Sequence, residues 1–196
     1  TALHIASHYG HAGVVAALIA ARADVKAKDI KGATVLHIAS HYGHADIVAA
    51  LIAEGVDIDA MDKEVEATAL HVAACYGHVD VVDKLIAAKA DMKATDTNGY
   101  TALHSAAYNG DVDVVAKLIE AEADLNAKSP SGKTALHWAA YKGHVDVVAA
   151  LIAAEADMEA TDTNGYTALH SAAYNGHVDV VDKLIVAGGD IDAKST

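Results

Sequence analysis

The chain has 196 residues, 53% of them hydrophobic, and its 27 acidic and 14 basic side chains give a formal net charge of −13. This charge argues against binding to nucleic acid or to an anionic membrane, because such contacts need clustered Lys and Arg. The apolar runs fall far short of the 18 or more residues of a membrane span. A single cysteine, Cys75, excludes an internal disulfide. We predict no membrane contact, and a localisation that is unknown but compatible with the cytoplasm.

A repeated segment organises the whole sequence. TDTNGYTALHSAAYNG occurs at 95–110 and again, letter for letter, at 161–176. Its TALH box returns at a step of 33 residues, except for one step of 34, with first residues Thr1, Thr34 (as TVLH), Thr68, Thr101, Thr134 and Thr167. A fixed period of this length indicates a linear array. We predict one domain over 1–196 with six repeats, at approximately 1–28, 29–61, 62–95, 96–128, 129–161 and 162–194.

The fourth repeat shows the elements that each unit predicts. Asp-Thr-Asn-Gly at 96–99 is typical of a tight turn. Thr101 has the chemistry of a helix N-cap, and Gly110 is suited to the left-handed residue that ends this inner helix. An outer helix should follow, with Asp113 in its first turn, where the helix dipole favours negative charge. We predict that its apolar stripe consists of Val112, Val115, Leu118 and Ile119.

The TALH box, the Gly-His junction, the apolar outer helix and the ADxxA tail together resemble the ankyrin repeat. The resemblance covers the whole chain. It implies an all-α solenoid of stacked helix-turn-helix units with hairpin-like β-turn tips. It also implies a concave face, lined by tips and inner helices, whose usual activity is protein–protein recognition.

Three sets of residues recur in every repeat and are therefore interpreted as structural. The box histidine should bond the capping Thr and the neighbouring turn, and the resembled family uses it as scaffold. The box histidines are His4, His37, His71, His104, His137 and His170. The junction glycines are Gly10, Gly43, Gly77, Gly110, Gly143 and Gly176. The tail aspartates are Asp24, Asp57, Asp91, Asp124, Asp157 and Asp190.

The chain departs from the ankyrin pattern in two ways that affect stability and shape. A glycine follows the outer helix only at Gly55 and Gly188, whereas Arg22, Lys89, Glu122 and Glu155 stand there in other repeats. A left-handed residue other than glycine costs roughly 1 kcal/mol. We therefore predict an array less stable than a consensus one, melting below about 90 °C. The third tip, 62–67, is one residue longer than the others and lacks their glycine, so we expect a widened or displaced finger, interpreted as tolerated loop variation.

Metal binding and catalysis are both disfavoured. His8 and His41 are the histidines without a scaffold role, and the i, i+4 pairs His4–His8 and His37–His41 are the best metal-ligand spacing in the chain. The inner helix ends before His11, so a third ligand would point elsewhere. No nucleophile elbow, phosphate-binding glycine loop or HExxH motif is present. We predict no metal, no cofactor and no enzymatic activity.

The positions that vary between repeats predict the binding surface. The two residues before each junction glycine should form two parallel ladders on the concave face, with tyrosine changing ladder between repeats three and four. Tyrosine and tryptophan are enriched at binding hot spots. The predicted partner-binding residues are His41, Tyr42, Tyr76, Tyr100, Tyr108, Asn109, Lys133, Trp138, Tyr141, Lys142, Tyr166, Tyr174 and Asn175.

The partner is predicted to be a protein of unknown identity. The alternative is a structural scaffold that self-associates end to end through terminal repeats without polar caps, where Val181, Leu184 and Ile185 would leave apolar surface open. The duplicated segment is compatible with a natural or a designed array, whole or part of a longer one.

Overall fold

A computed structural model describes residues 1–195 and contains twelve short helices over that range. In chain order they are α1 (Ala2–His8), α2 (Ala12–Ala20), α3 (Val35–His41), α4 (Ala45–Ala53), α5 (Ala69–Cys75), α6 (Val79–Ala87), α7 (Ala102–Asn109), α8 (Val112–Glu120), α9 (Ala135–Lys142), α10 (Val145–Ala153), α11 (Ala168–Tyr174) and α12 (Val178–Val186). Odd-numbered helices are the inner helices and even-numbered helices the outer ones. The all-α fold of stacked helix pairs is confirmed.

The helices fall into two compact units, one from Thr1 to Thr97 and one from Asn98 onward. The first unit holds α1 to α6 and the second holds α7 to α12. Within each unit the inner helices pack on one another, as α1 on α3 and α7 on α9 do. The outer helices do the same, as α2 on α4 and α10 on α12 do. No helix among residues 1–195 is long and apolar enough to cross a bilayer.

A capping box starts the inner helices α3, α5, α7, α9 and α11 and involves the box histidine of each. In α3, the backbone N–H of Thr34 donates to His37 Nδ1 over 3.2 Å, while His37 Nε2 donates to the carbonyl of Ala67 over 2.9 Å. An Nδ1 that accepts from a backbone amide carries no proton, so these contacts require the neutral imidazole. The ring thus joins its own helix to the next tip. The predicted bonds to the capping Thr and to the neighbouring turn are confirmed.

The junction glycines Gly10, Gly43, Gly110 and Gly143 combine a left-handed backbone with a close histidine ring. Gly110 has a φ of 84°, the left-handed conformation predicted for it. A Cβ built on Gly110 would lie 2.6 Å from the imidazole of His144 in the following repeat. Glycine is therefore needed both for the backbone angle and for the close approach of the ring.

Four residues without glycine's freedom adopt the same left-handed conformation after the outer helices. Arg22, Lys89, Glu122 and Glu155 have φ values of 62°, 66°, 62° and 64°. The predicted strain positions are therefore confirmed. One further residue other than glycine is left-handed: Glu66, in the third tip, has a φ of 53°.

The core consists of small and branched aliphatic side chains. The large side chains that are almost fully buried are leucines, Ile47 and the two box histidines His104 and His137. In α8 the buried residues are Val114, Val115 and Leu118, whereas Val112 and Ile119 are half-buried. The predicted stripe was wrong in omitting Val114.

The last outer helix corrects a second expectation. Leu184 is buried, and Val181 is half-buried. The large apolar side chains exposed on α12 are Val178, Ile185 and Val186, so Ile185 is exposed as predicted, whereas Val181 and Leu184 are not.

Aspartate closes the turn at the second, third and sixth tips, through Asp29, Asp62 and Asp162. Asp29 Oδ1 accepts from the amides of Lys31 and Ala33 at 2.9 and 2.8 Å, and the Asp29 amide donates to the Ala33 carbonyl. The one β-bridge in the described chain, between Lys28 and Thr34, flanks this turn. In the third tip the equivalent bond runs from Asp62 to Ala67, one residue further on. The widened finger is confirmed.

The tail aspartates also have the structural role predicted for them. Each accepts a hydrogen bond on Oδ1 from the amide two residues further along, as Asp24 does from Lys26 over 2.9 Å and Asp157 from Glu159 over 2.9 Å. These Asx turns lead the chain out of each outer helix towards the next tip.

Candidate functional site

The second unit gathers three tyrosine rings around Trp138, the chain's single tryptophan. Trp138 lies in α9, and its ring centroid is 5.4 Å from that of Tyr100, 5.5 Å from Tyr108 and 5.8 Å from Tyr141. All three contacts are edge-to-face, with interplanar angles of 70–80°. This is the geometry that aromatic quadrupoles favour. We call these four residues the Trp138 cluster.

Two lysines border the Trp138 cluster. Lys133 Nζ lies 4.6 Å from the ring centroid of Trp138 and 5.3 Å from that of Tyr141. Lys142 Nζ lies 4.2 Å from the ring centroid of Tyr108. Both are cation–π distances. Tyr108 is 40% exposed, so the cluster presents aromatic surface to solvent beside two positive charges.

Trp138 leaves one polar atom unsatisfied. Its Nε1 is buried and has no hydrogen-bond partner. Buried indole N–H groups usually find an acceptor, and an unpaired one costs on the order of 1–3 kcal/mol. The centre of the cluster thus contains a donor without an acceptor.

The remaining predicted residues of the second unit lie outside the cluster. Tyr166 stacks on the box histidine His170 at 5.4 Å, as Tyr100 does on His104 at 5.7 Å. Tyr174 is 86% exposed. The amides of Asn109 and Asn175 each donate to a carbonyl of their own helix, Ser105 and Ser171. The duplicated segment therefore keeps its tip geometry in both copies, and its two helix-end tyrosines differ in surroundings.

The first unit arranges its predicted residues as one alternating row of rings. His8 lies 4.6 Å from Tyr9 and 4.2 Å from Tyr42, and His41 lies 4.6 Å from Tyr42 and 4.2 Å from Tyr76. The three tyrosines are exposed and the two histidines are half-buried. The two predicted ladders thus merge, because a histidine of one repeat reaches the tyrosine of the next. We call these five residues the His/Tyr row.

Within the His/Tyr row, the surroundings of His41 favour its neutral form. Burial, together with the nearby imidazoles of His78 and His8, lowers the pKa of His41 below its ordinary value. Among residues 1–195 no group of three or more His, Cys, Asp or Glu side chains is arranged to hold a metal ion.

The histidines at the junction have a role that the sequence reasoning missed. His44 Nε2 donates to the carbonyl of His8 over 3.2 Å, and His78 Nε2 to that of His41 over 2.9 Å. In the second unit His144 and His177 bond the carbonyls of Tyr108 and Tyr141, both over 3.0 Å. The recurrence of a Gly-His junction one period apart was the signal that could have revealed these bonds between repeats.

These features define a class: a repeat protein whose helix pairs form a scaffold and whose tips and inner-helix ends carry variable aromatic and charged side chains. The family model of ankyrin repeats matches the sequence in three copies, over residues 1–62, 36–129 and 118–195. The chain belongs to the ankyrin repeat family. Ankyrin repeats are generally protein–protein interaction modules and are typically non-catalytic. A comparison with curated proteins found no significant match.

Proposed function

We propose that the chain is a non-catalytic protein-binding module and that its partner contacts the tips and inner-helix ends. In the second unit the contact is centred on the Trp138 cluster. The observation that carries the proposal is this cluster itself: four rings and two lysines meet at a surface that the scaffold does not require.

The composition of the surface supports binding. Tyrosine and tryptophan supply large contact areas at low cost in side-chain entropy, and together with arginine they dominate measured hot spots. The rings of the Trp138 cluster already pack on one another, so little freedom remains to be lost on association. In the first unit the His/Tyr row offers a second exposed strip, which includes the predicted contacts His41, Tyr42 and Tyr76.

The experiment starts from a random 12-residue peptide library displayed on phage and selected on the intact chain. Selected peptides are labelled, and their Kd values are measured by fluorescence polarisation. Replacing Tyr108, Trp138 and Tyr141 together by Ala should weaken binding by about 30-fold or more, the effect of a single hot spot worth about 2 kcal/mol.

The control is Ile185→Ala. Ile185 is an exposed apolar residue of the same unit but lies on the outer helix α12, so its loss should leave the Kd within about twofold. Far-UV circular dichroism checks that the triple variant remains folded. If the folded triple variant binds every selected peptide as tightly as the parent does, the Trp138 cluster is not the binding surface.

Self-association is the second candidate, favoured by the exposure of the first and last outer helices. Val14 of α2 is 50% exposed, whereas its counterpart Ile47 in α4 is 1% exposed because the preceding repeat covers it. In α12, Val178, Ile185 and Val186 are exposed. Sedimentation over a range of concentrations decides, because a mass of 20.1 kDa that is independent of concentration contradicts this candidate.

A further inference from the structure

We propose that the segment recognised at the Trp138 cluster is an acidic peptide chain of the partner protein. It would place Asp or Glu carboxylates on Lys133 and Lys142 and an apolar side chain against the exposed ring of Tyr108. This inference rests on the proposed function and specifies the chemistry of its ligand.

The first argument is that these two ammonium groups lack an anion. Within residues 1–195 neither Lys133 nor Lys142 has a carboxylate at ion-pair distance. Other lysines of the chain do have oxygen acceptors. Lys31 pairs with Glu64 at 3.3 Å, and Lys128 Nζ donates to the Thr161 carbonyl over 3.1 Å. Lys133 and Lys142 thus keep hydrogen-bonding capacity for a ligand.

The second argument is that the rings hold both ammonium groups in place. A lysine side chain loses rotamer entropy when a ligand fixes it. Because Lys133 already lies over Trp138 and Lys142 over Tyr108, part of that cost is met within the free protein. An ammonium over a ring face keeps its remaining N–H groups for a carboxylate.

The third argument concerns the overall negative charge. The formal charge of −13 is spread over the whole chain, and charges more than about 8 Å away are largely screened at physiological ionic strength. One carboxylate close to Lys133 is that of Asp162, since both groups act electrostatically on the imidazole of His137. Asp162 is buried, and its Oδ1 already accepts from the amides of Asn164 and Tyr166. Lys142 is exposed and Lys133 is half-buried, and each ammonium group lies over a ring of the cluster.

The fourth argument is that the two charges border one apolar surface. The contacts run from Lys142 to Tyr108, from Tyr108 to Trp138 and from Trp138 to Lys133. A ligand that engages both lysines must cross the cluster. An acidic residue on each side of an apolar one fits this order of groups.

The test uses peptides selected from the random library and, for each, a matched version with Gln for Glu and Asn for Asp. The acidic version should bind about 3- to 10-fold more tightly, the range expected for two exposed charge pairs. That advantage should disappear in the double variant Lys133→Gln/Lys142→Gln. It should persist in Lys183→Gln, which removes the same charge from an exposed position on α12. Raising NaCl from about 50 to 500 mM should reduce it as well.

The outcomes separate this inference from the proposed function. Peptides that depend on the aromatic cluster but show no enrichment in Asp and Glu would leave protein binding in place and overturn the acidic ligand. An acidic advantage that survives the double lysine variant would overturn it too. If no selected peptide loses affinity in the triple aromatic variant, both proposals fail. Because Lys142 is exposed and Lys133 is only half-buried, the lysine variants should fold as the parent does.

Discussion

Restoring glycine after the outer helices should stabilise the protein. Glu122 is the residue after the C-cap of α8, and its φ of 62° is set by two hydrogen bonds: its own amide donates to Ile119 and the next amide, of Ala123, to Leu118. A residue with a Cβ is strained there by about 1–2 kcal/mol. Glycine removes that strain, but it also raises the conformational entropy of the unfolded chain, which lowers the free energy of unfolding by about 0.5–1 kcal/mol.

The net gain from Glu122→Gly is therefore about 0.5–1 kcal/mol in the free energy of unfolding. Within residues 1–195 the side chains of Arg22, Lys89, Glu122 and Glu155 are exposed and make no hydrogen bond or ion pair, so their removal takes away no contact. Changing all four to Gly should add about 2–4 kcal/mol if the sites are independent. For a chain of this size, 1 kcal/mol corresponds to a Tm rise of about 2–4 °C.

Urea unfolding followed by circular dichroism measures the effect, with Glu122→Ala as the matched control. Alanine removes the same side chain but keeps the Cβ, so it should leave the stability nearly unchanged. A glycine variant no more stable than the alanine variant would refute the reasoning, and with it the prediction that the parent melts below about 90 °C.

Two further predictions concern the scaffold. Gly110→Ala should lower the free energy of unfolding by about 1 kcal/mol more than Gly176→Ala, although both glycines have a positive φ. The reason is that a Cβ on Gly110 meets the His144 ring, whereas one on Gly176 meets nothing within 4 Å. Equal urea midpoints for the two variants would contradict this prediction. Burial lowers the pKa of His37 and His137 below 6.5. Below pH 6.5 the unfolded chain therefore binds more protons than the folded one. The free energy of unfolding should be highest above pH 6.5 and should fall as the pH drops below that value. Unfolding curves at pH 7.5, 6.5 and 5.5 that coincide would show that these rings do not remain neutral.

Local geometry was predictable from the sequence. The capping Thr and the box histidine are three residues apart, and the left-handed positions follow from where each helix must end, so neither depends on distant parts of the chain. The outer-helix stripe was harder. Val114 is buried because α8 packs both on its own inner helix and on α10, which makes the buried face wider than a single stripe.

The sequence indicated which residues could belong to the candidate site but not how their side chains contact one another. The variable positions named Trp138, Tyr108 and Lys142, but no pattern in the sequence says that Lys142 lies over Tyr108. Which ring meets which depends on side-chain rotamers and on the offset between successive repeats. For the same reason the His/Tyr row appeared in the sequence as two separate ladders.

The composition of the Trp138 cluster makes recognition a property of two neighbouring repeats. Tyr100 and Tyr108 come from the fourth repeat, whereas Lys133, Trp138 and Tyr141 come from the fifth. The second copy of the duplicated segment has the same sixteen letters, yet its Tyr174 is 86% exposed. Changing the order of single repeats would therefore keep the scaffold but separate the residues of the Trp138 cluster. Moving the fourth and fifth repeats together into another array would carry the whole cluster with them.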